Sequence, residues 1–84
     1  MTNVFLSPHA QQQIDRLPKD IRTRVFKLVK RLQLWPEVSG VKPLSGSLAG
    51  RFRMRTGDYR LQFYVKTDDI YIEKIGHRAN FYEE

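Results

Sequence analysis

Arginine recurs at every second position in Arg51-Phe52-Arg53-Met54-Arg55, and the run continues Thr56-Gly57-Asp58-Tyr59-Arg60. Side chains of a strand alternate between its two faces, so three guanidinium groups share one face while Phe52 and Met54 share the other. Gly57-Asp58 reads as a two-residue hairpin loop, with glycine first as a type II′ turn prefers. That loop sets Thr56 opposite Tyr59, Met54 opposite Leu61 and Phe52 opposite Phe63. On the other face Arg55 meets Arg60, Arg53 meets Gln62 and Arg51 meets Tyr64. Like charges directly opposite each other destabilise a sheet, and the planar guanidinium fork matches phosphate oxygens bidentately. The pattern therefore points to an anion bound on this face, a phosphate before a carboxylate. The plain alternative is a solvated or charge-protected strand, which accounts for any one arginine but less well for four converging on one hairpin.

A second cluster closes the chain, Gly76-His77-Arg78-Ala79-Asn80-Phe81-Tyr82. Cleavage of RNA by its own 2′-hydroxyl needs a base for that proton, cations for the charge growing on phosphorus, and an acid for the departing 5′ oxygen. Arg51, Arg53 and Arg55 can hold the phosphate, and Arg60 and Arg78 can stabilise the phosphorane. Tyrosine ionises near ~10 when unperturbed, and neighbouring guanidinium charges favour its phenolate, so Tyr82 can serve as base. An imidazole gives or takes a proton near neutrality, so His77 is an equal candidate for acid or base. No carboxylate base is expected. Tyr64, Tyr71 and Phe81 can stack bases, although packing explains each of them as readily.

These groups need a scaffold. Ser7-Pro8 marks a helix start, serine as N-cap and proline at the first helical position. Ala10, Ile14 and Leu17 follow at helical spacing, and Pro18 closes the helix by disfavouring helical geometry at Leu17. Asp20 then opens a second helix whose buried stripe is Ile21, Val25, Leu28 and Leu32. Arg22, Lys27, Lys30 and Arg31 form its solvated sides, and Trp35-Pro36 ends it. Residues 37–50 read as a loop pinned by Val41, Leu44 and Leu48. After the arginine hairpin come a turn at Asp68-Asp69 and a strand from Ile70 to Ile75. Ile75 is out of phase with Ile70 and Ile72, which predicts a bulge near Lys74. The expected fold is α+β: an N-terminal strand, a two-helix hairpin, then an antiparallel meander, with the helices on one face of a small twisted sheet and the arginines on the other.

At 84 residues the chain, 1–84, is one domain with a core near the lower limit for folding without crosslinks. It has no cysteine, which excludes disulfides and thiolate metal sites and suits a reducing cytoplasm. His9 and His77 lack acidic neighbours at ligand spacing, so neither metal nor cofactor is expected. Met1 to Ser7 lacks the pattern of a signal peptide and no segment is long enough for a membrane span, so no membrane partner is expected. The net charge is +6 and the pI about 10.0. Asp68, Asp69, Glu73, Glu83 and Glu84 concentrate the acid late, which leaves residues 16–66 strongly basic. Such a field suits nucleic acid or an acidic protein.

The chain resembles the RelE/ParE superfamily of toxin–antitoxin toxins, and more closely its RelE-like branch of mRNA endoribonucleases. The likeness spans nearly the whole sequence. It rests on Leu17-Pro18 between the helices, on Leu44, Gly46 and Leu48-Ala49-Gly50 before the hairpin, on Arg53 to Arg60, and on Gly76-His77-Arg78 followed by Tyr82. The resemblance implies a toxin that enters the ribosomal A site and cuts mRNA without metal, leaving a cyclic phosphate. Arg51 and Arg53 fall where relatives carry phosphate-clamping basic residues, often lysines. Arg60 matches the arginine after the strand-opening tyrosine, Arg78 the arginine proposed as acid or charge stabiliser, and Tyr82 the C-terminal tyrosine, with the base left between Tyr82 and His77. The implied partners are a cognate antitoxin protein, in a hetero-oligomeric complex able to bind operator DNA, and the mRNA-loaded ribosome. The superfamily also contains ParE-like inhibitors of DNA gyrase, the chief rival reading. A basic RNA-binding module without activity is a third.

Overall fold

A computed structural model describes residues 2–81. The chain runs β1 (Val4–Leu6), α1 (Pro8–Asp15), α2 (Lys19–Leu32), β2 (Lys42–Pro43), a 3₁₀ turn (Gly46–Leu48), β3 (Arg51–Thr56), β4 (Tyr59–Lys66) and β5 (Asp69–His77). The strands form one mixed sheet in the order β1-β5-β4-β3-β2, antiparallel except that β1 lies parallel to β5.

Both helices begin as their sequences dictate. The Ser7 hydroxyl accepts from the Ala10 N–H, and Pro8 occupies the first turn, where its missing N–H costs nothing. Pro18 in extended geometry separates α1 from α2, and Asp20 with Lys30 and Arg31 aligns charge with the α2 dipole. Ala10 and Ile14 of α1 and Val25, Leu28 and Leu32 of α2 pack on Met54, Leu61, Phe63, Ile70, Ile72 and Ile75. Trp35 closes one end edge-on to Phe52 and Phe63.

The β3–β4 hairpin adopts the expected register, Thr56 opposite Tyr59 through to Arg51 opposite Tyr64. Gly57 sits at φ +57°, while Asp58 is not among the residues of positive φ, as a type II′ turn requires. Two segments differ from expectation. The 37–50 loop contains β2, which lays Lys42 beside Arg53; two residues with a proline carry too little pattern to be seen as a strand. The second turn sits one residue early. Thr67 and Asp68, at φ 50° and 65°, make the two-residue turn, and Asp69 already pairs with Lys66. Asparagine and aspartate are tolerated in left-handed geometry more readily than threonine, which is why Thr67 was not legible as a turn residue.

Candidate nucleic-acid face

The sheet has one face under the helices and one without them. Phe52, Met54, Leu61 and Phe63 point to the helices, so the pleat puts Arg51, Arg53, Arg55, Arg60, Gln62 and Tyr64 on the open face. β2 adds Lys42 across from Arg53. Two cross-strand pairs on this face are thus cation against cation, Lys42 with Arg53 and Arg55 with Arg60. Lys42, Arg53 and Arg55 line a shallow cavity of about 450 Å³ together with Gly40 and Val41. Arg55 is exposed, whereas Arg60 is partly buried and its Nη1 is closed to solvent without an acceptor among the described residues. A guanidinium nitrogen in that condition costs stability until an acceptor arrives.

The predicted bulge falls at Glu73. Gln62 pairs with Lys74 and Phe63 with Ile72, so Glu73 is the extra residue in β5. The extra residue restores phase, which lets Ile75 join Ile70 and Ile72 in the core. Helix α1 takes up the backbone groups near the break. The Ser7 hydroxyl donates to the Glu73 carbonyl at 2.9 Å, and the Gln13 side-chain oxygen accepts from the Ile75 N–H at 2.6 Å.

Glu73 alternates with the core residue Ile72 and so lies with Tyr71 on the arginine face, where its carboxylate stands among the cations. Arg51 Nε donates to Glu73 Oε1 at 2.9 Å and Arg51 Nη2 reaches Oε2 at 3.4 Å, while Gln62 Nε2 lies 3.4 Å from Oε1. Arg51, one of the arginines expected to hold phosphate, thus has Glu73 as a partner. Gln62 is 4% exposed and its Oε1 has no partner among the described residues. Alternation from Ile70 and Ile72 already sets Tyr71 and Glu73 on the open face, and what the inserted residue inverts is the facing of Lys74 and the residues after it.

Lys74 was also missed. Its ammonium donates to the Phe81 carbonyl at 2.6 Å and lies 4.4 Å from the Phe81 ring centroid. Phe81 is buried yet stands apart from the main core, against Gly76, which faces Arg60 across the ladder. The ring of Phe81 thus anchors the C-terminal segment on the arginine face.

The remaining candidates are dispersed. His77 pairs with Tyr59, in phase with Leu61 and Phe63, and the two rings meet edge-on at 5.3 Å. Its side chain consequently leaves the sheet on the side opposite the arginines, and its Nδ1 accepts from the Ala79 N–H at 3.1 Å. Arg78 stands at the hairpin turn: its N–H donates to the Asp58 carbonyl at 2.7 Å and its Nε is 3.5 Å from Asp58 Oδ1, both side chains well exposed. Tyr82 lies outside the described residues.

The whole arrangement has known relatives. The sequence matches the model of the ParE toxin of the type II toxin–antitoxin system parDE over residues 4–82. The chain belongs to the ParE toxin family. It is thereby a toxin of a type II toxin–antitoxin system within the RelE/ParE superfamily. Among solved structures, this ParE-family chain resembles the toxin–antitoxin complex RelBE2 from Mycobacterium tuberculosis at 29% identity and TM-score 0.81, over 92% of this chain and 98% of that one. The RelE–RelB complex from Pyrococcus horikoshii matches at 26% identity and TM-score 0.74, covering 92% and 94%. The isolated RelE toxin of E. coli shares the fold at TM-score 0.76 but only 14% identity, covering 92% and 84%. No curated protein matches the sequence.

Proposed function

We propose that this toxin is an endoribonuclease that cleaves mRNA in the ribosomal A site in the cytoplasm, with a cognate antitoxin as its natural inhibitor. The observation that carries the reading is the cation-on-cation pairing of the open face, with Arg60 Nη1 closed off and unpartnered among the described residues. A phosphate beside Arg53, Arg55 and Arg60 would relieve that repulsion and give the orphaned nitrogen an acceptor.

In the reaction the ribose 2′-hydroxyl gives up its proton, its oxygen bonds to the adjacent phosphorus, and the bond from phosphorus to the 5′ oxygen breaks as that oxygen takes a proton. The products are a 2′,3′-cyclic phosphate and a 5′-hydroxyl. Guanidinium groups fixed in place before reaction stabilise the charge on the phosphorane, and the ribosome supplies a pre-positioned substrate. Tyr82 follows the anchored Phe81 in the chain and takes the role of base. His77 is turned to the opposite side of the sheet, so it is the weaker candidate. Arg78, exposed at the end of the hairpin, takes the role of stabilising the leaving oxygen or the phosphorane.

Solved structures of several relatives are toxin–antitoxin complexes. An antitoxin covering the basic face would neutralise its charge and obstruct substrate at once. The gyrase-inhibitor reading draws on the family match itself and on His77 standing off the arginine face.

The test is incubation with mRNA-programmed ribosomes, mapping the cut and its termini. Cleavage confined to the A-site codon, leaving a cyclic phosphate and abolished by Arg60→Ala, supports the nuclease. Intact mRNA, with inhibition of gyrase supercoiling by the same preparation, overturns it.

A further inference from the structure

Beside the arginines, the open face carries a row of planar groups that ends near the start of α1. Phe5 of β1 stacks on Tyr71 of β5 at 5.3 Å and 23°, Tyr71 stacks on Tyr64 of β4 at 5.3 Å and 17°, and the Arg51 guanidinium of β3 lies 5.7 Å from the Tyr64 centroid. The row thus crosses four strands. Phe5 is 46% exposed and has no ring partner on its outer side among the described residues. Against the row runs a mainly apolar cavity of about 570 Å³, closed on its other side by Pro8, His9 and Glu73. That volume lies within the roughly 300–1,000 Å³ of small-ligand pockets, which are apolar with a few placed polar groups.

The charges choose the occupant. The Glu73 carboxylate repels a phosphate but accepts hydrogen bonds, and among the described residues its Oε2 has the long 3.4 Å contact from Arg51, leaving acceptor capacity. A nucleobase bearing an exocyclic amino group offers both an aromatic surface for the Phe5–Tyr71 wall and a donor for Glu73. Arg51 joins the two regions, stacked on Tyr64 and paired with Glu73, so a base here adjoins a backbone held by Arg53 and Arg55.

We propose that the slot between the Phe5–Tyr71–Tyr64 row and Glu73 is a nucleobase subsite that holds one amino-bearing base, adenine, cytosine or guanine, of the RNA bound to the arginine face. This rests on the RNA reading above. It assigns sequence preference to Glu73 and affinity to the aromatic row.

The test uses programmed ribosomes carrying mRNA with 2-aminopurine, an adenine analogue quenched by stacking, at each A-site codon position in turn. A 2′-deoxy substitution at the reacting nucleotide blocks cleavage. The expected result is quenching at one position on adding the protein, with Phe5→Ala binding about 5- to 150-fold more weakly, the usual worth of one stacked base. Phe5→Tyr should retain the quench, and an unchanged melting curve for Phe5→Ala shows that the exposed ring is not needed for folding. Uracil, which lacks the amino group, should bind more weakly at that position, and Glu73→Gln should erase the difference. A wild-type protein that cleaves ordinary mRNA but quenches no position, or a Phe5→Ala variant that binds as wild type, overturns the subsite and reassigns the slot to a side chain of a protein partner. A wild-type protein that neither binds nor cleaves overturns the RNA reading, and the subsite with it.

Discussion

At the scale of single residues, the arginines of the open face are unequal although the sequence makes them look alike. Arg51 is paired with Glu73, Arg55 is exposed, and Arg60 has a nitrogen closed to solvent without an acceptor among the described residues. Arg60→Met should therefore separate stability from activity. It removes an unsatisfied polar group and keeps much of the packing, so urea unfolding should show stability unchanged or raised by about 1 kcal/mol. Cleavage should fall by roughly 100- to 1,000-fold, as for loss of one transition-state donor. A large destabilisation would show that Arg60 is satisfied in the free protein. Arg55→Ala should weaken RNA binding more than Arg51→Ala does, and should reduce the slope of log affinity against log salt by up to about 1. Titration of single-stranded RNA at several salt concentrations checks both; equal effects would mean that the Arg51–Glu73 pair opens on binding.

At the scale of elements, the decisive feature is a helix start that supports a bulge 66 residues away in sequence. Ser7 both caps α1 and bonds the Glu73 carbonyl, and Gln13 satisfies the Ile75 N–H. Ser7→Ala should cost about 1–3 kcal/mol by denaturant titration, more than an N-cap of typically ~1 kcal/mol alone, because a strand carbonyl is stranded as well. Gln13→Leu should cost a similar ~1–3 kcal/mol by leaving the Ile75 N–H unpaired. A cost near zero in both variants would mean that water replaces the side chains and the bulge holds itself. The bulge was legible as an interruption in the isoleucine pattern, yet its consequence was not. Periodicity shows that Ile75 must face inward, but it does not say which residue absorbs the slip, and that residue is the carboxylate facing the arginines.

At the scale of the whole molecule, a formal charge of +6 is spread over 84 residues, and the open face adds cations set directly opposite each other. Salt screens such repulsion, with a Debye length of about 10 Å at 0.1 M, so the free protein should melt several degrees higher in ~0.5 M sodium chloride than in ~0.02 M. A protein held together by its ion pairs would shift the other way. Thermal melts followed by circular dichroism decide between them. An acidic partner should raise the melting temperature further by binding only the folded form.

The sequence alone determined the hairpin register, because a two-residue loop beginning with glycine fixes which residues face each other. It also determined both helices, through Ser7-Pro8 and Pro18, and the choice of core, through Ile14, Val25, Leu28 and Leu32. All of these are local rules of spacing and capping. Tertiary structure alone decided that Glu73 pairs with Arg51 and that His77 leaves the arginines, since the ion pair joins residues distant in the chain and facing beyond a bulge depends on pairing with β4. It decided too that Lys74 anchors Phe81, and that Phe5, Tyr71 and Tyr64 form one row, because those neighbours are distant in the chain and meet only when β1 docks parallel to β5.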